Sequence, residues 1–189
     1  MGTQECLPQT QVASAACSFS LCSRCSRLQK TCCQVTEIYV TQGDVFRIQA
    51  ATDQTGFHEF RAPQNPDYLD QDDDPVWAYY VFRPDRSRRI LKHKENGDCC
   101  FLTSEGCQLP MDIRPLVCRI YPYAYRDGHL TGIEEGLCPV HILEPGKSLT
   151  ATLGMEETED PARWVSNLYL EIRAEKPEAP VRPTLPVAA

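Results

Sequence analysis

Four cysteines stand close together near the N-terminus, in the stretch CSRCSRLQKTCC at positions 22 to 33. Cys22 and Cys25 are separated by two residues, a spacing that lets two thiolates bind one metal ion from a turn, as in zinc and iron–sulfur sites. The pair Cys32 and Cys33 differs, because neighbouring side chains on a helix diverge by about 100°. We therefore expect these two sulfurs to serve two metals, two irons of one cluster, or one metal and one packing contact.

A second group of cysteines follows much later in the chain. Its members are Cys99, Cys100, Cys107, Cys118 and Cys138. The chain has 11 cysteines in all, with Cys17 beside the first group and Cys6 alone. Burial as small apolar side chains accounts for one or two of them, such as Cys100, but not for two clusters. If both groups belong to one site, the fold must bring them together.

The chemistry of these thiols depends on the compartment, because disulfides form in oxidising environments and metal sites predominate where thiols stay reduced. The N-terminal residues MGTQECLPQT contain no basic segment followed by an apolar run, so we expect no secretory signal. A membrane-spanning helix requires roughly 18 or more consecutive apolar residues, and no stretch of this sequence approaches that length. We expect a cytoplasmic protein whose clustered cysteines bind metal.

The charge of the chain limits its partners. With 26 acidic and 19 basic side chains, the net charge is −7. Nonspecific nucleic-acid binding draws its affinity from a basic surface, so this balance argues against it. We expect the protein to bind a metal ion, and we expect it to bind neither nucleic acid nor a membrane. The four histidines are not expected to be ligands, although His141 lies three residues after Cys138.

Three stretches of the sequence carry a family resemblance: CSRCSRLQKTCCQVTEIYVTQGDVFRI, GDCCFLTSEGCQLPMDIRPLVCRIYPY and GLCP. They resemble the YkgJ-type cysteine cluster family, a zinc- or iron-chelating domain, from about Cys22 to Pro139. The resemblance implies eight metal-ligating cysteines: Cys22, Cys25, Cys32, Cys33, Cys99, Cys107, Cys118 and Cys138. The family has two residues between the second cysteine and the adjacent pair, whereas this chain has six. Four extra residues make about one helical turn, so we expect the pair to regain the same facing.

Three functions are compatible with this pattern. The first is a protein that holds zinc or an iron–sulfur cluster through its cysteines. The second, implied by relatives in the flagellin lysine N-methylase group, is an iron–sulfur-dependent enzyme that modifies a protein substrate, although no glycine-rich loop for a nucleotide cofactor is visible. The third is a thiol redox or metal-handling protein. Arg114, Arg119 and Tyr121 flank Cys118 and are candidates to donate hydrogen bonds to its sulfur or, equally, to pair at the surface.

The remaining pattern predicts a small α+β domain organised around the cysteines. The β-branched and aromatic segments 35–41 and 76–82 are predicted strands, the second forming a hairpin with 88–93. Thr41 and Asp44 resemble a capping box, which predicts a helix over about 42–53 that Gly56 terminates.

The second half continues with short elements. Residues 99–109 are predicted to form two short strands joined by a turn that contains glycine. Residues 111–120 are predicted to form a short helix, and Asp127-Gly128 is predicted to be the turn of a hairpin. Residues 159–175 predict an amphipathic helix with Trp164, Leu168 and Ile172 on one face. We expect residues 1–16 and the proline-rich 176–189 to be disordered tails on a domain of residues 17–175.

Overall fold

The computed structural model describes residues 21–28, 31–69, 73–134, 138–155 and 159–175. Within them the fold is a mixture of helices and short antiparallel strand pairs, which confirms the predicted α+β class. The helices are α1 (Leu21–Leu28), α2 (Cys32–Val35), α3 (Gln42–Thr52), α4 (Leu116–Ile120), α5 (Val140–Leu143), α6 (Leu149–Leu153) and α7 (Asp160–Ala174). The strands are β1 (His58–Arg61), β2 (Arg88–Leu91), β3 (Leu102–Thr103), β4 (Gly106–Cys107), β5 (Tyr123–Arg126) and β6 (His129–Ile133).

Two hydrophobic cores lie on opposite sides of the extended segment 37–41. Because side chains alternate along an extended chain, Ile38 and Val40 enter one core while Tyr39 enters the other. The first, which we call the sulfur-side core, also contains Cys99 and Cys100. The second, which we call the α7 core, contains the following buried residues: Tyr39, Val76, Trp77, Val81, Leu116, Ile120, Val165, Leu168, Tyr169 and Ile172.

The predicted strand at 35–41 is only partly correct. Its first residue, Val35, closes α2, and the chain then runs extended beside β2. Tyr39 forms an isolated antiparallel bridge with Ile90, and the backbone N–H of Val40 donates to the carbonyl of Arg89 at 3.1 Å. The β-branched and aromatic residues that predicted a strand therefore form a single extended segment between the two cores.

Helix α3 agrees closely with the sequence prediction. The Thr41 hydroxyl accepts from the backbone N–H of Asp44 at 2.9 Å, and an Asp44 carboxylate oxygen accepts from the backbone N–H of Thr41 at 3.1 Å. This reciprocal capping box fixes the first turn. The helix ends at Thr52, close to the predicted limit, and the residue that ends it is Asp53, which has a φ of 54°, rather than the predicted Gly56.

The prediction of a strand at 76–82 is wrong. Residues Trp77–Val81 form a π-helix. A carboxylate oxygen of Asp74 accepts from the backbone N–H groups of Val76 at 3.1 Å and Trp77 at 3.4 Å, which starts a helical turn. The buried residues Trp77 and Val81 are four positions apart and face the same core, so burial overrides the β-propensity of the aromatic run.

The predicted hairpin partner of β2 is consequently also wrong. Strand β2 pairs antiparallel with β1, with His58 opposite Leu91 and Arg61 opposite Arg88. The other two hairpins are confirmed: β3 pairs with β4, and β5 pairs with β6. The turn between β5 and β6 has positive φ at both Asp127 and Gly128, as a type I′ turn requires.

Helices α4 and α7 pack against each other and form most of the α7 core. Helix α4 is confirmed but begins at Leu116, after Pro115, rather than at 111. Helix α7 buries Leu168 and Ile172 as predicted, while Trp164 is only partly buried. None of the described helices is both long enough and apolar enough to span a bilayer. The tails predicted at 1–16 and 176–189 lie outside the described residues, and the domain limits stay a prediction.

Candidate metal centre

A cavity of about 520 Å³ borders both cores. Six cysteines line it: Cys25, Cys32, Cys33, Cys107, Cys118 and Cys138. They come from five different parts of the chain, namely α1, α2, β4, α4 and the residues before α5. The fold therefore brings both cysteine groups of the sequence to one place.

A direct backbone contact joins the two groups. The backbone N–H of Cys99 donates to the carbonyl of Cys33 at 2.7 Å. The residue after Cys33 and the residue before Cys99 are also in contact, because the side-chain amide of Gln34 donates to the carboxylate of Asp98 at 2.9 Å. These bonds hold α2 against the segment that precedes β3, so Cys33 and Cys99 are neighbours although they are far apart in sequence.

Helix α1 supplies Cys25, which is 4% exposed. Two arginines tie this helix to the rest of the fold. Arg24 forms an ion pair with Glu144 at 2.6 Å and donates to the carbonyl of Leu143 at the end of α5. Arg27 donates to the carbonyl of Ser104 in the β3–β4 turn at 3.3 Å. Cys25 is thereby held between the segments that carry Cys107 and Cys138, and the sequence analysis gave no role to either arginine.

The adjacent pair Cys32-Cys33 lies on a helix of its own. The backbone N–H of Thr31 donates to the side chain of Gln34 at 2.9 Å, and α2 begins after Thr31. Helix α2 has its own start, separate from α1, so the facing of the pair relative to Cys25 is not set by a count of helical turns. Both members of the pair nevertheless line the cavity.

The thiols of Cys99 and Cys100 are hydrogen-bonded to each other in the sulfur-side core, and neither residue lines the cavity. Cys99 is 3% exposed and packs in the sulfur-side core beside Cys33, but it does not line the cavity. The sulfur of Cys100 contacts the carbonyl of Phe57 at 3.7 Å and is buried away from the cavity. This position agrees with the interpretation of Cys100 as a packing thiol.

Helix α4 presents Cys118, and a fully buried carboxylate fixes its start. The backbone N–H of Leu116 donates to the Asp44 carboxylate at 3.1 Å, which links α4 to the N-terminus of α3. The chain before the helix is tied by Arg114, whose Nε donates to the carbonyl of Leu109 at 2.9 Å. Arg119 in turn donates to the carbonyl of Arg114 at 2.7 Å. In these contacts both arginines bind backbone oxygens.

The thiols of α2 have unequal acidities. A hydrogen bond with the Cys33 thiol is the largest effect on Cys32 and lowers its pKa to about 7, in spite of burial. The same hydrogen bond, followed by burial and by the charge of Cys32, raises the pKa of Cys33 well above the ordinary range. Cys32 is therefore the first thiolate of the pair to form.

Two other cavity thiols, Cys107 and Cys118, resist ionisation. Burial raises the pKa of Cys107 and of Cys118, and negative charge on neighbouring cysteines raises both further. The positive charge of Arg114 acts in the opposite direction on Cys107 and Cys32. Several thiolates cannot form here together unless a cation compensates their charge, which is what a bound metal supplies.

A buried hydroxyl faces the same cysteines. The phenol oxygen of Tyr121 is inaccessible to solvent and has no hydrogen-bond partner among the described residues. Burial first, and then the charges of Cys32, Cys138 and Cys25, raise its pKa. A neutral hydroxyl without an acceptor, beside three thiols, fits a site in which thiolate sulfur becomes the acceptor.

The donor set fits a thiophilic metal, since sulfur ligands select zinc and iron–sulfur clusters. No group of three or more His, Cys, Asp or Glu side chains among the described residues is arranged to hold an ion as the side chains stand. The eight described cysteines with assigned side chains are free thiols: Cys25, Cys32, Cys33, Cys99, Cys100, Cys107, Cys118 and Cys138. None of the four histidines, His58, His93, His129 and His141, lines the cavity.

Three cysteines fall wholly or partly outside the described part of the chain. Cys22 belongs to α1, but its side chain is not described. Cys6 and Cys17 lie outside the described residues altogether. The predicted role of Cys22 as a ligand therefore stays a prediction.

Cysteines from several elements around one cavity define a cysteine-cluster domain of α+β class. Residues 21–139 match the family model CxxCxxCC, described as a "Putative zinc- or iron-chelating domain". Because this match covers more than half of the chain, the protein belongs to the CxxCxxCC family, in agreement with the resemblance seen in the sequence. No curated protein and no solved structure matches the chain.

Proposed function

We propose that the protein binds zinc or an iron–sulfur cluster through its clustered cysteines, and that this binding stabilises the fold. The observation that carries the proposal is the convergence of six cysteines on one cavity from five parts of the chain. The proposed ligands are the eight family cysteines: Cys22, Cys25, Cys32, Cys33, Cys99, Cys107, Cys118 and Cys138. The metal would supply the positive charge that lets buried thiols ionise together. The ligands must stay reduced, so we propose a cytoplasmic location.

In this proposal the chain's own groups prepare the site. Cys32 provides the first thiolate, since its pKa is about 7. Arg114 lowers the cost of negative charge at Cys107 and Cys32. Tyr121 donates its hydroxyl to a sulfur once that sulfur is ionised. Small rotations of the cysteine side chains into the cavity would complete the ligand set.

Serine substitution of single cysteines tests the proposed ligand set. We expect Cys118→Ser and Cys107→Ser to lose cobalt or zinc binding by about tenfold or more, measured by competition with a chromophoric chelator under reducing conditions. Cys100→Ser is the matched control, because its sulfur contacts Phe57 instead of the cavity. Equal metal affinity in all three variants and the wild type would show that these cysteines are not ligands.

The acidity of Cys32 gives a prediction for alkylation. In metal-free protein at pH 7, about half of Cys32 is thiolate, since its pKa is about 7. Cys107 and Cys118 have raised pKa values and almost no thiolate. We expect iodoacetamide to modify Cys32 about tenfold faster than the other two, by peptide mass spectrometry, because the thiolate is the nucleophile.

Metal should protect Cys32 in the same experiment. If zinc-loaded protein is alkylated at Cys32 as fast as metal-free protein, Cys32 is not a ligand. If Cys32 reacts no faster than Cys107 in metal-free protein, the hydrogen bond from Cys33 does not control its acidity.

The stability of the metal-free protein should fall in mildly alkaline solution. The pKa values of Cys33, Cys107 and Cys118 are raised in the folded state, whereas unfolded thiols ionise near about 8.5. The unfolded state therefore loses protons first, and the contribution of these thiols is lost as pH rises above that value. We expect a loss of roughly 1 kcal/mol per thiol between about pH 8.5 and 9.5 in urea unfolding.

The metal-loaded protein should show the opposite behaviour. Its ligands are already thiolates, so its free energy of unfolding should stay constant or rise over the same range. Parallel pH profiles for the loaded and the metal-free protein would contradict thiolate ligation.

A further inference from the structure

The cavity extends beyond the cysteines to a second wall made of charged and aromatic side chains. Its main residues are Glu37, Tyr68, Arg88, Tyr125 and Glu134. This wall contains no residue of either cysteine group and none of the proposed metal ligands. A cavity of about 520 Å³ is also larger than a single metal ion needs and lies within the range of small-molecule sites.

Arg88 is the residue of this wall that demands an explanation. It is 2% exposed, yet no carboxylate among the described residues forms an ion pair with it. One terminal nitrogen donates to the carbonyl of Glu37 at 3.1 Å, and the ring of Tyr68 lies 4.4 Å from the guanidinium carbon. The Nε–H has no acceptor in the described part of the chain. Buried charges are normally paired, so this guanidinium lacks an expected anion.

The nearest acidic side chain is already occupied. The Glu37 carboxylate pairs with Arg61 at 3.0 Å and accepts from the backbone N–H groups of Gln64 at 2.9 Å and Asn65 at 3.3 Å. Glu37 thus accepts a hydrogen bond from Arg88 through its backbone carbonyl, whereas its carboxylate does not contact Arg88. In agreement, burial lowers the pKa of Arg88, and the charge of Glu37 offsets this only in part.

We propose that the second wall of the cavity is a binding site for the carboxylate of a small organic acid, which Arg88 receives as its missing anion. A guanidinium donates to a carboxylate through two parallel N–H groups, a geometry that lysine cannot reproduce. The acid's body would pack against the aromatic side chains Tyr68 and Tyr125, which line the same wall. Asp73, Asp74 and Glu134 also line the cavity, so a singly charged carboxylate is favoured over doubly charged phosphate.

Nuclear magnetic resonance of the arginine Nε–H groups tests this site in the metal-loaded full chain. Arg88→Lys assigns the Arg88 signal. We expect sodium benzoate to shift that signal saturably, with a Kd of about 1 mM or lower. Sodium chloride at the same ionic strength should not shift the Arg88 signal. Inorganic phosphate should bind at least about tenfold more weakly than benzoate.

A pair of variants separates Arg88 from general electrostatics. Arg88→Lys keeps the charge but loses the planar donor pair, so benzoate binding by calorimetry should weaken about tenfold or more. Arg126→Lys is the control, because Arg126 lines the cavity but is exposed and pairs with Asp73 at 2.6 Å. Its benzoate affinity should equal that of the wild type.

Several results would overturn the carboxylate site. These are an Arg88 signal that does not move up to about 50 mM benzoate, stronger binding of phosphate than of benzoate, or equal loss in both variants. If Arg88→Lys does not fold, the titration of the wild-type signals, assigned through the bonds of the arginine side chain, still decides. The metal content of each sample is measured separately, so failure of metal binding is distinguishable from failure of the carboxylate site.

Discussion

Removal of the metal under reducing conditions should destabilise the protein strongly and lower its melting temperature by roughly 20 °C or more. Structural zinc in small domains contributes about 10 kcal/mol or more, which is comparable with the whole stability of about 5–15 kcal/mol of an ordinary domain. The loss should be cooperative, because the two cores share their elements. Segment 37–41 sends alternate residues into both, and Val117 of α4 packs against both. We expect the thermal transition, followed by near-ultraviolet circular dichroism, to move to this lower temperature after chelation.

Two controls make this result specific. Reductant without chelator should leave the transition unchanged, which excludes disulfide reduction as the cause. Addition of zinc or reconstitution of the cluster should restore the transition. If metal-free, reduced protein keeps a melting temperature within about 2 °C of the loaded protein, the metal does not stabilise the fold.

Asp44→Ala should destabilise the protein by about 3–5 kcal/mol, the largest loss that we expect from a residue outside the cysteines. The Asp44 carboxylate is fully buried and joins three groups: the backbone N–H of Thr41 at 3.1 Å, the backbone N–H of Leu116 at 3.1 Å and the guanidinium of Arg47 at 2.6 Å. Its removal leaves two buried N–H groups without their acceptor, while Arg47 keeps only its pair with Glu171. Urea unfolding of the metal-loaded variant measures the loss.

The same substitution should weaken metal binding, because Leu116 starts the helix that carries Cys118. The matched control is Asp67→Ala, an exposed aspartate in the 3₁₀ turn Pro66–Tyr68, for which we expect a change within about 0.5 kcal/mol. A loss below about 1 kcal/mol for Asp44→Ala would mean that this carboxylate does not connect α3 to α4. Unchanged metal affinity in a destabilised variant would separate the fold from the site.

Local signals in the sequence were sufficient for the elements that begin or end with a specific side-chain contact. Thr41 and Asp44 predicted α3 because the capping box is formed within four residues, and Asp127-Gly128 predicted a hairpin because its positive φ values are a local requirement. The segment 76–82 misled the prediction. Its aromatic and β-branched residues favour a strand, and only the core packing of Trp77 and Val81 makes it helical.

The candidate site divides in the same manner. The spacing of the cysteines and the family resemblance identified the sulfurs, and the convergence of six of them required the fold. Arg24, which ties α1 to Glu144, and Arg88, which lies in the second wall, have no sequence signal. The role of Arg24 depends on Glu144, which is distant in sequence. The role of Arg88 depends on the missing acceptor for its Nε–H among the described residues, which only the fold shows. Charged residues are mostly exposed in proteins, so the sequence alone predicts a surface position for them, and only the tertiary contacts show which are buried.

Metal binding through the cysteines is tested most directly by elemental analysis and an absorption spectrum. Both are measured on protein that has been purified without oxygen. We expect stoichiometric zinc in a colourless protein, or iron with acid-labile sulfide in a brown one, and loss of that metal in Cys118→Ser but not in Cys100→Ser. Protein that is folded and reduced yet contains neither zinc nor iron, and that binds neither on reconstitution, would contradict it.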